Sequence, residues 1–88
     1  MKFNEKEMEL IEKIREAEQY VVGEIEIDYD YDADIPGWYA LDYRKDLEAA
    51  VSINNKAYDT PIITEEDAER DKVDVGKVCS YLDVWYVG

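Results

Sequence analysis

Residues Glu24 to Tyr31 alternate without exception between acidic and apolar side chains. Glu24, Glu26, Asp28 and Asp30 fall on one parity, and Ile25, Ile27, Tyr29 and Tyr31 on the other. Successive side chains of a strand point to opposite faces, so the stretch reads as a half-buried strand with its apolar parity inward and its carboxylates outward. Asp32 and Asp34 keep that parity up to Pro36-Gly37, a pair that fits a type II turn. A strand of this kind needs an apolar partner to lie on, and the flanking segments supply candidates.

The preceding segment has the period of a helix. Asn4 is a good N-cap with Glu7 at the capping-box position, and Phe3 and Met8 fall where a hydrophobic staple sits. Leu10, Ile11, Ile14, Ala17 and Val21 recur on one face. The spacing predicts a helix over about residues 4–19. Trp38 to Tyr43 reads as a second strand. Residues 44–58 read two ways: Asp46 to Ala50 has helical propensity, whereas Val51-Ser52-Ile53, Asn54-Asn55 and Lys56-Ala57-Tyr58 suit a hairpin, because Asn tolerates the positive φ of a tight turn. The hairpin is preferred. Thr64-Glu65-Glu66-Asp67 starts a short acidic helix, and Val78 to Val87 reads as a closing strand. The expected fold is α+β: an N-terminal amphipathic helix packed on an antiparallel sheet of three to five strands, plus a short acidic helix.

The 88 residues fit one domain, 1–88. Disordered acidic chains are poor in aromatics, and eight Tyr, two Trp and one Phe argue against that class. The single cysteine, Cys79, excludes an intrachain disulfide and suits a small buried apolar position. The opening MKFNEKEMEL lacks the apolar run of a signal peptide, and no stretch is apolar enough to span a membrane, so a cytoplasmic location is expected.

Charge narrows the function. Twenty-three acids against ten bases leave −13, beyond the magnitude of about 2–8 that keeps a small domain soluble. Direct binding to nucleic acid or to an anionic membrane needs basic patches, so the expected partner is a basic protein. The imbalance is local. From Glu16 through Tyr43 there is no Lys or Arg, and the window holds nine acids: Glu16, Glu18, Glu24, Glu26, Asp28, Asp30, Asp32, Asp34 and Asp42.

Catalysis has little to build on. There is no His, no Ser-His or Cys-His pair, no glycine-rich phosphate loop and no CxxC, so neither an enzyme nor a cofactor is expected. Asp28, Asp30, Asp32 and Asp34 match the odd positions of a calcium loop, but Ala33 stands where Gly is needed and Tyr39 where the bidentate Glu belongs. No dedicated metal site is expected.

The acidic stripe carries the functional expectation. Same-face residues of a strand repeat at about 6.6–6.8 Å, or about two axial steps of a DNA strand at 3.4 Å each. Glu24, Glu26, Asp28, Asp30, Asp32, Asp34 and Asp42 are the expected contacts to a basic nucleic-acid-binding partner, with Tyr29, Tyr31, Trp38 and Tyr39 as aromatic contacts beside them. In size, charge and lack of catalytic motif the chain resembles the anti-CRISPR proteins, restriction inhibitors and other DNA mimics of phages and mobile elements. That resemblance is one of character, and no motif carries it. It implies a host-cell cytoplasmic target. The competing expectation is a solvated sheet face on a structural or adaptor domain that self-associates, as a homodimer, or docks through Trp38, Tyr39, Trp85 and Tyr86. Glu65, Glu66, Asp67, Glu69, Asp71 and Asp74, interleaved with Arg70 and Lys72, read as a solvated helix with local ion pairs.

Overall fold

Glu7 anchors the first helix and reaches well beyond it. The computed structural model describes residues 2–21, 23–43, 48–50 and 60–88. Helix α1, Glu5–Glu18, opens with the capping box: Asn4 Oδ1 accepts the Glu7 N–H at 2.8 Å, and Glu7 Oε1 accepts the Asn4 N–H at 2.9 Å. The other carboxylate oxygen accepts the Asp74 N–H at 2.9 Å, and Lys77 Nζ donates to Oε1 at 3.3 Å. Asn4 Nδ2 donates to the carbonyls of Asp71 and Lys72. The start of α1 is thereby tied to a turn nearly seventy residues away. The expected staple does not form: Met8 is exposed, while Phe3 stacks edge-on against Tyr81 at 5.0 Å with Lys77 over its ring.

Among the described residues there are five strands: β1 Glu24–Asp30, β2 Gly37–Tyr43, β3 Glu48–Ala50, β4 Ile63–Thr64 and β5 Trp85–Val87. The sheet order is β3-β2-β1-β5, and β4 pairs with β2 at the end away from β3. β1 and β2 are antiparallel, with Ile27 opposite Ala40 and Tyr29 opposite Trp38. Leu10, Ile11, Ile14 and Ala17 of α1 bury against Ile25, Ile27 and Ala40. Each fully buried aliphatic side chain of this kind contributes about 1.5–3 kcal/mol. The α+β class is as the sequence predicts.

The sheet is mixed rather than antiparallel, because β5 runs parallel to β1. The expected closing strand from Val78 is mostly helix. Helix α2, Glu65–Arg70, starts at Thr64 as predicted, its Oγ1 accepting the Asp67 N–H. Helix α3, Val75–Leu82, then follows with Asp74 as N-cap, Oδ1 accepting the Lys77 N–H at 3.0 Å. Val75, Val78, Cys79 and Leu82 recur at i, i+3, i+4 and i+7, and this helical stripe overrides their β-propensity by burying against α1 and the sheet. Asp83 ends α3 in the left-handed region, φ 56, and only Trp85–Val87 is left to join the sheet. Tyr81 is accordingly a helix residue.

Gly37 is not the corner of a turn. It is the first residue of β2, and a Cβ there would lie 2.5 Å from the Ile63 carbonyl oxygen, so β4 could not approach. Glu48–Ala50 pairs antiparallel with β2, as a strand and not a helix. The Asn54-Asn55 hairpin turn lies outside the described residues. Among the described residues, no helix is long and apolar enough to cross a membrane.

Glu7 is 3% exposed. Burial alone would raise its pKa, but the hydrogen bonds from Asn4, Asp74 and Lys77 outweigh that and hold it below the ordinary 4.5. Its stabilising effect is therefore complete above pH 4.5 and is lost as pH falls from 4.5 through the lowered folded value. Glu7→Ala is expected to cost about 3 kcal/mol in urea unfolding at neutral pH, because it strands three donors. The stability gap between the native chain and Glu7→Gln should shrink as pH drops below 4.5.

Candidate functional site

The acidic parity of β1 does not form one outward row. Glu24 is exposed, Glu26 is 6% exposed, and Asp28 and Asp30 are half-buried. Two features cause this. β1 lies between β2 and β5, and so is not an edge strand. Its acidic parity also faces the same way as Tyr39 and Leu41 of β2, which are 1% and 7% exposed, so the middle of that face is packed instead of wet. Charge reversal at Glu26 would test folding and not binding.

Asp42 is 2% exposed and sits on the opposite face, in register with Ile25. Its Oδ1 accepts the Gly23 N–H at 3.1 Å, which holds the entry to β1. Asp30 likewise serves the backbone, its Oδ1 accepting the Asp32 and Ala33 N–H groups at 2.9 and 3.1 Å. That Asx turn bends the chain out of β1 and leaves Asp32 and Asp34 exposed. Of the seven predicted contacts, Glu24, Asp32 and Asp34 are fully open to solvent, and Glu24 lies at the other end of the strand from the other two.

The aromatic candidates also divide. Tyr39 is a core residue whose hydroxyl donates to the Ile35 carbonyl at 2.6 Å, bracing the 31–36 loop from within. Trp38 packs against the core and meets Tyr29 edge-on at 5.0 Å. Tyr31 stacks edge-on against Tyr29 at 4.4 Å and is 79% exposed. The Tyr29 hydroxyl donates to the Glu65 carboxylate.

That last bond joins two acidic stretches that lie apart in the sequence. The Glu65 N–H donates to the Pro36 carbonyl, and Gly37 pairs with Thr64, so the 31–36 loop and the first turn of α2 form one end of the molecule. Ile35, Pro36, Thr64, Glu65, Glu66 and Glu69 line a shallow cleft between them. The nearby cation, Arg70, is engaged by Asp67 at 2.9 Å and Asp71 at 3.1 Å. The result is an acidic pole: the loop that carries Asp32 and Asp34, with Tyr31 and Ile35 exposed in it, bonds through Pro36 to the helix that carries Glu65, Glu66 and Glu69. The α2 acids are the part that sequence reasoning set aside as a solvated helix. The Ile62-Ile63 pair before the Thr64 cap was the available signal, since it threads that helix start onto the sheet.

Comparison with protein-family models, with curated proteins and with solved structures finds no match.

The chemistry on offer at the pole is that of a charged surface with aromatic contacts. Among the described residues no group of three or more His, Cys, Asp or Glu side chains is set to hold a metal ion. Cys79 is wholly buried, and burial pushes its thiol up to about 12, so it is a packing residue. The hydrogen bond to Glu65 pushes the Tyr29 hydroxyl up to about 12. A phenol whose folded pKa lies above its unfolded value stabilises the fold fully below pH 10 and loses that effect between 10 and about 12. Phenolate absorbance of the native chain should therefore show one tyrosine titrating near 12, and Glu65→Gln should bring it back toward 10. If the titration curve of Glu65→Gln matches that of the native chain, the Tyr29–Glu65 bond is not formed in solution.

Proposed function

We propose that this chain is a non-catalytic inhibitor or interaction protein that docks its acidic pole on the basic nucleic-acid-binding surface of a partner, in the manner of anti-CRISPR or anti-restriction DNA mimics. The supporting observation is the Glu65 N–H bond to the Pro36 carbonyl, which joins the loop that carries Asp32 and Asp34, and exposed Tyr31 and Ile35, to the start of α2. Exposed carboxylates speed encounter with a basic surface and select against acidic ones. The exposed tyrosine provides the apolar contact that charge alone lacks, because aromatic anchors dominate interface energetics. The mimicry in this reading is of charge and not of phosphate spacing, since Glu26 is withdrawn from the row. A cytoplasmic partner suits the reading.

The test is capture from a bacterial lysate on the immobilised chain. Basic nucleic-acid-binding proteins are expected to be retained at low salt and released at high salt, because exposed charges are screened within about 8–10 Å at 0.1–0.15 M. Reversal of Asp32, Asp34 and Glu66 together to Lys, all at exposed positions, should leave the circular dichroism spectrum unchanged and abolish retention. Undiminished retention by the folded triple variant would sink the proposal.

A second reading, self-association or docking through aromatic residues, is favoured by β5. Trp85, Tyr86 and Val87 are 60%, 40% and 50% exposed on an outer strand of the sheet. A concentration-dependent dimer that ignores salt in sedimentation supports it. A monomer at every concentration counts against self-association.

A further inference from the structure

A groove of about 560 Å³ lies at the start of β1, at the opposite end of that strand from the acidic pole. Val21, Ile25, Leu82 and Val84 contribute apolar side chains to its lining. Glu18, Glu24 and Asp83 stand exposed around it, and no Lys or Arg is among its described lining residues.

Two helix ends open on the same place. Glu7 bonds to Asp74 where α1 and α3 begin, whereas Glu18 and Asp83 share the groove where those helices end. Both carboxyl-terminal ends, each with its partial negative charge, therefore border one site. Apolar side chains beside carboxylates are the complement of a long alkyl stem with a cationic head. Arginine fits better than lysine, because its guanidinium is more weakly hydrated and its planar fork donates to two carboxylates at once. A second copy of this chain is a poor occupant, since it brings a charge of −13 to a negative rim.

We propose that this groove takes the side chain of an arginine on an exposed segment of the basic partner. The alkyl stem lies on Leu82 and Val84, and the guanidinium donates to the carboxylates of Glu24 and Asp83. The proposal rests on the basic-partner reading above but names a contact separate from the pole.

The probe is a short, blocked glycine peptide with one central arginine, titrated into the full chain while amide NMR signals are followed. The control is the same peptide with citrulline, which keeps the shape and loses the charge. Shifts are expected at Gly23, Glu24, Asp83 and Val84 with the arginine peptide and not with citrulline. Glu24→Gln or Asp83→Asn should weaken binding about tenfold, the effect of taking the acceptor's charge out of one charge-assisted hydrogen bond. Asparagine tolerates the left-handed φ of 56 at position 83, so that variant keeps its fold. Equal shifts from the citrulline peptide, or unchanged affinity in both variants, would overturn the proposal. The Asp32, Asp34 and Glu66 reversal, which removes the pole, should bind the arginine peptide like the native chain. If it does not, the arginine belongs to the pole and the groove assignment falls. Peptide binding in the groove together with a failed lysate capture would instead remove the partner reading and leave the groove.

Discussion

The Glu7 carboxylate is the interaction on which the rest of the structure depends. It closes the capping box of α1, accepts the Asp74 N–H and receives Lys77 from the first turn of α3. A buried carboxylate is costly unless its lone pairs are filled, and here they are filled by Asn4 beside it and by Asp74 and Lys77 of one distant segment. With α3 held in place, Asp83 turns the chain back and β5 lands beside β1. That placement makes β1 an interior strand. The burial of the middle of β1 thus depends in part on a bond made where α1 and α3 begin.

Much of this was legible in the sequence where causes are local. The Asn4–Glu7 capping box, the strict alternation of β1 and the Thr64 cap all rest on contacts within a few residues, and they are found where the pattern puts them. The assignment of Val78–Val87 failed because two signals competed. The side chains favour strands individually, but Val75, Val78, Cys79 and Leu82 are spaced for a helix, and Asp74 caps it. Burial of the stripe decided the outcome. The direction of β5 depends on where α3 returns the chain, and no local pattern encodes that.

The acidic row shows a different limit. Alternation states which residues share a face, and Ile25 and Ile27 are buried as it predicts. It does not state whether the other face is wet, because that depends on what pairs on each side and what packs above. Glu26 and Asp42 are withdrawn from solvent for those tertiary reasons. The charge reappears at the two ends of β1, where β5 no longer lies beside the strand. Bringing Asp32 and Asp34 together with the α2 acids needed the Gly37–Thr64 pairing, which is available only because Gly37 has no Cβ.

The parallel pairing of β5 on β1 also orders the assembly of the sheet. Glu26 meets Trp85 across most of the chain, and a contact of that span becomes favourable only after the entropy of a long loop has been lost. α1 and the β1–β2 pair rest on nearer contacts and can form before it. In the interval β1 has one unpaired side, and an uncovered strand edge is where a nascent protein joins another chain. Its alternate residues are then carboxylates in water, and inward or edge charges of this kind oppose intermolecular pairing. Glu26, desolvated in the finished fold, is thus a charge that opposes pairing with another chain wherever that side of β1 is uncovered.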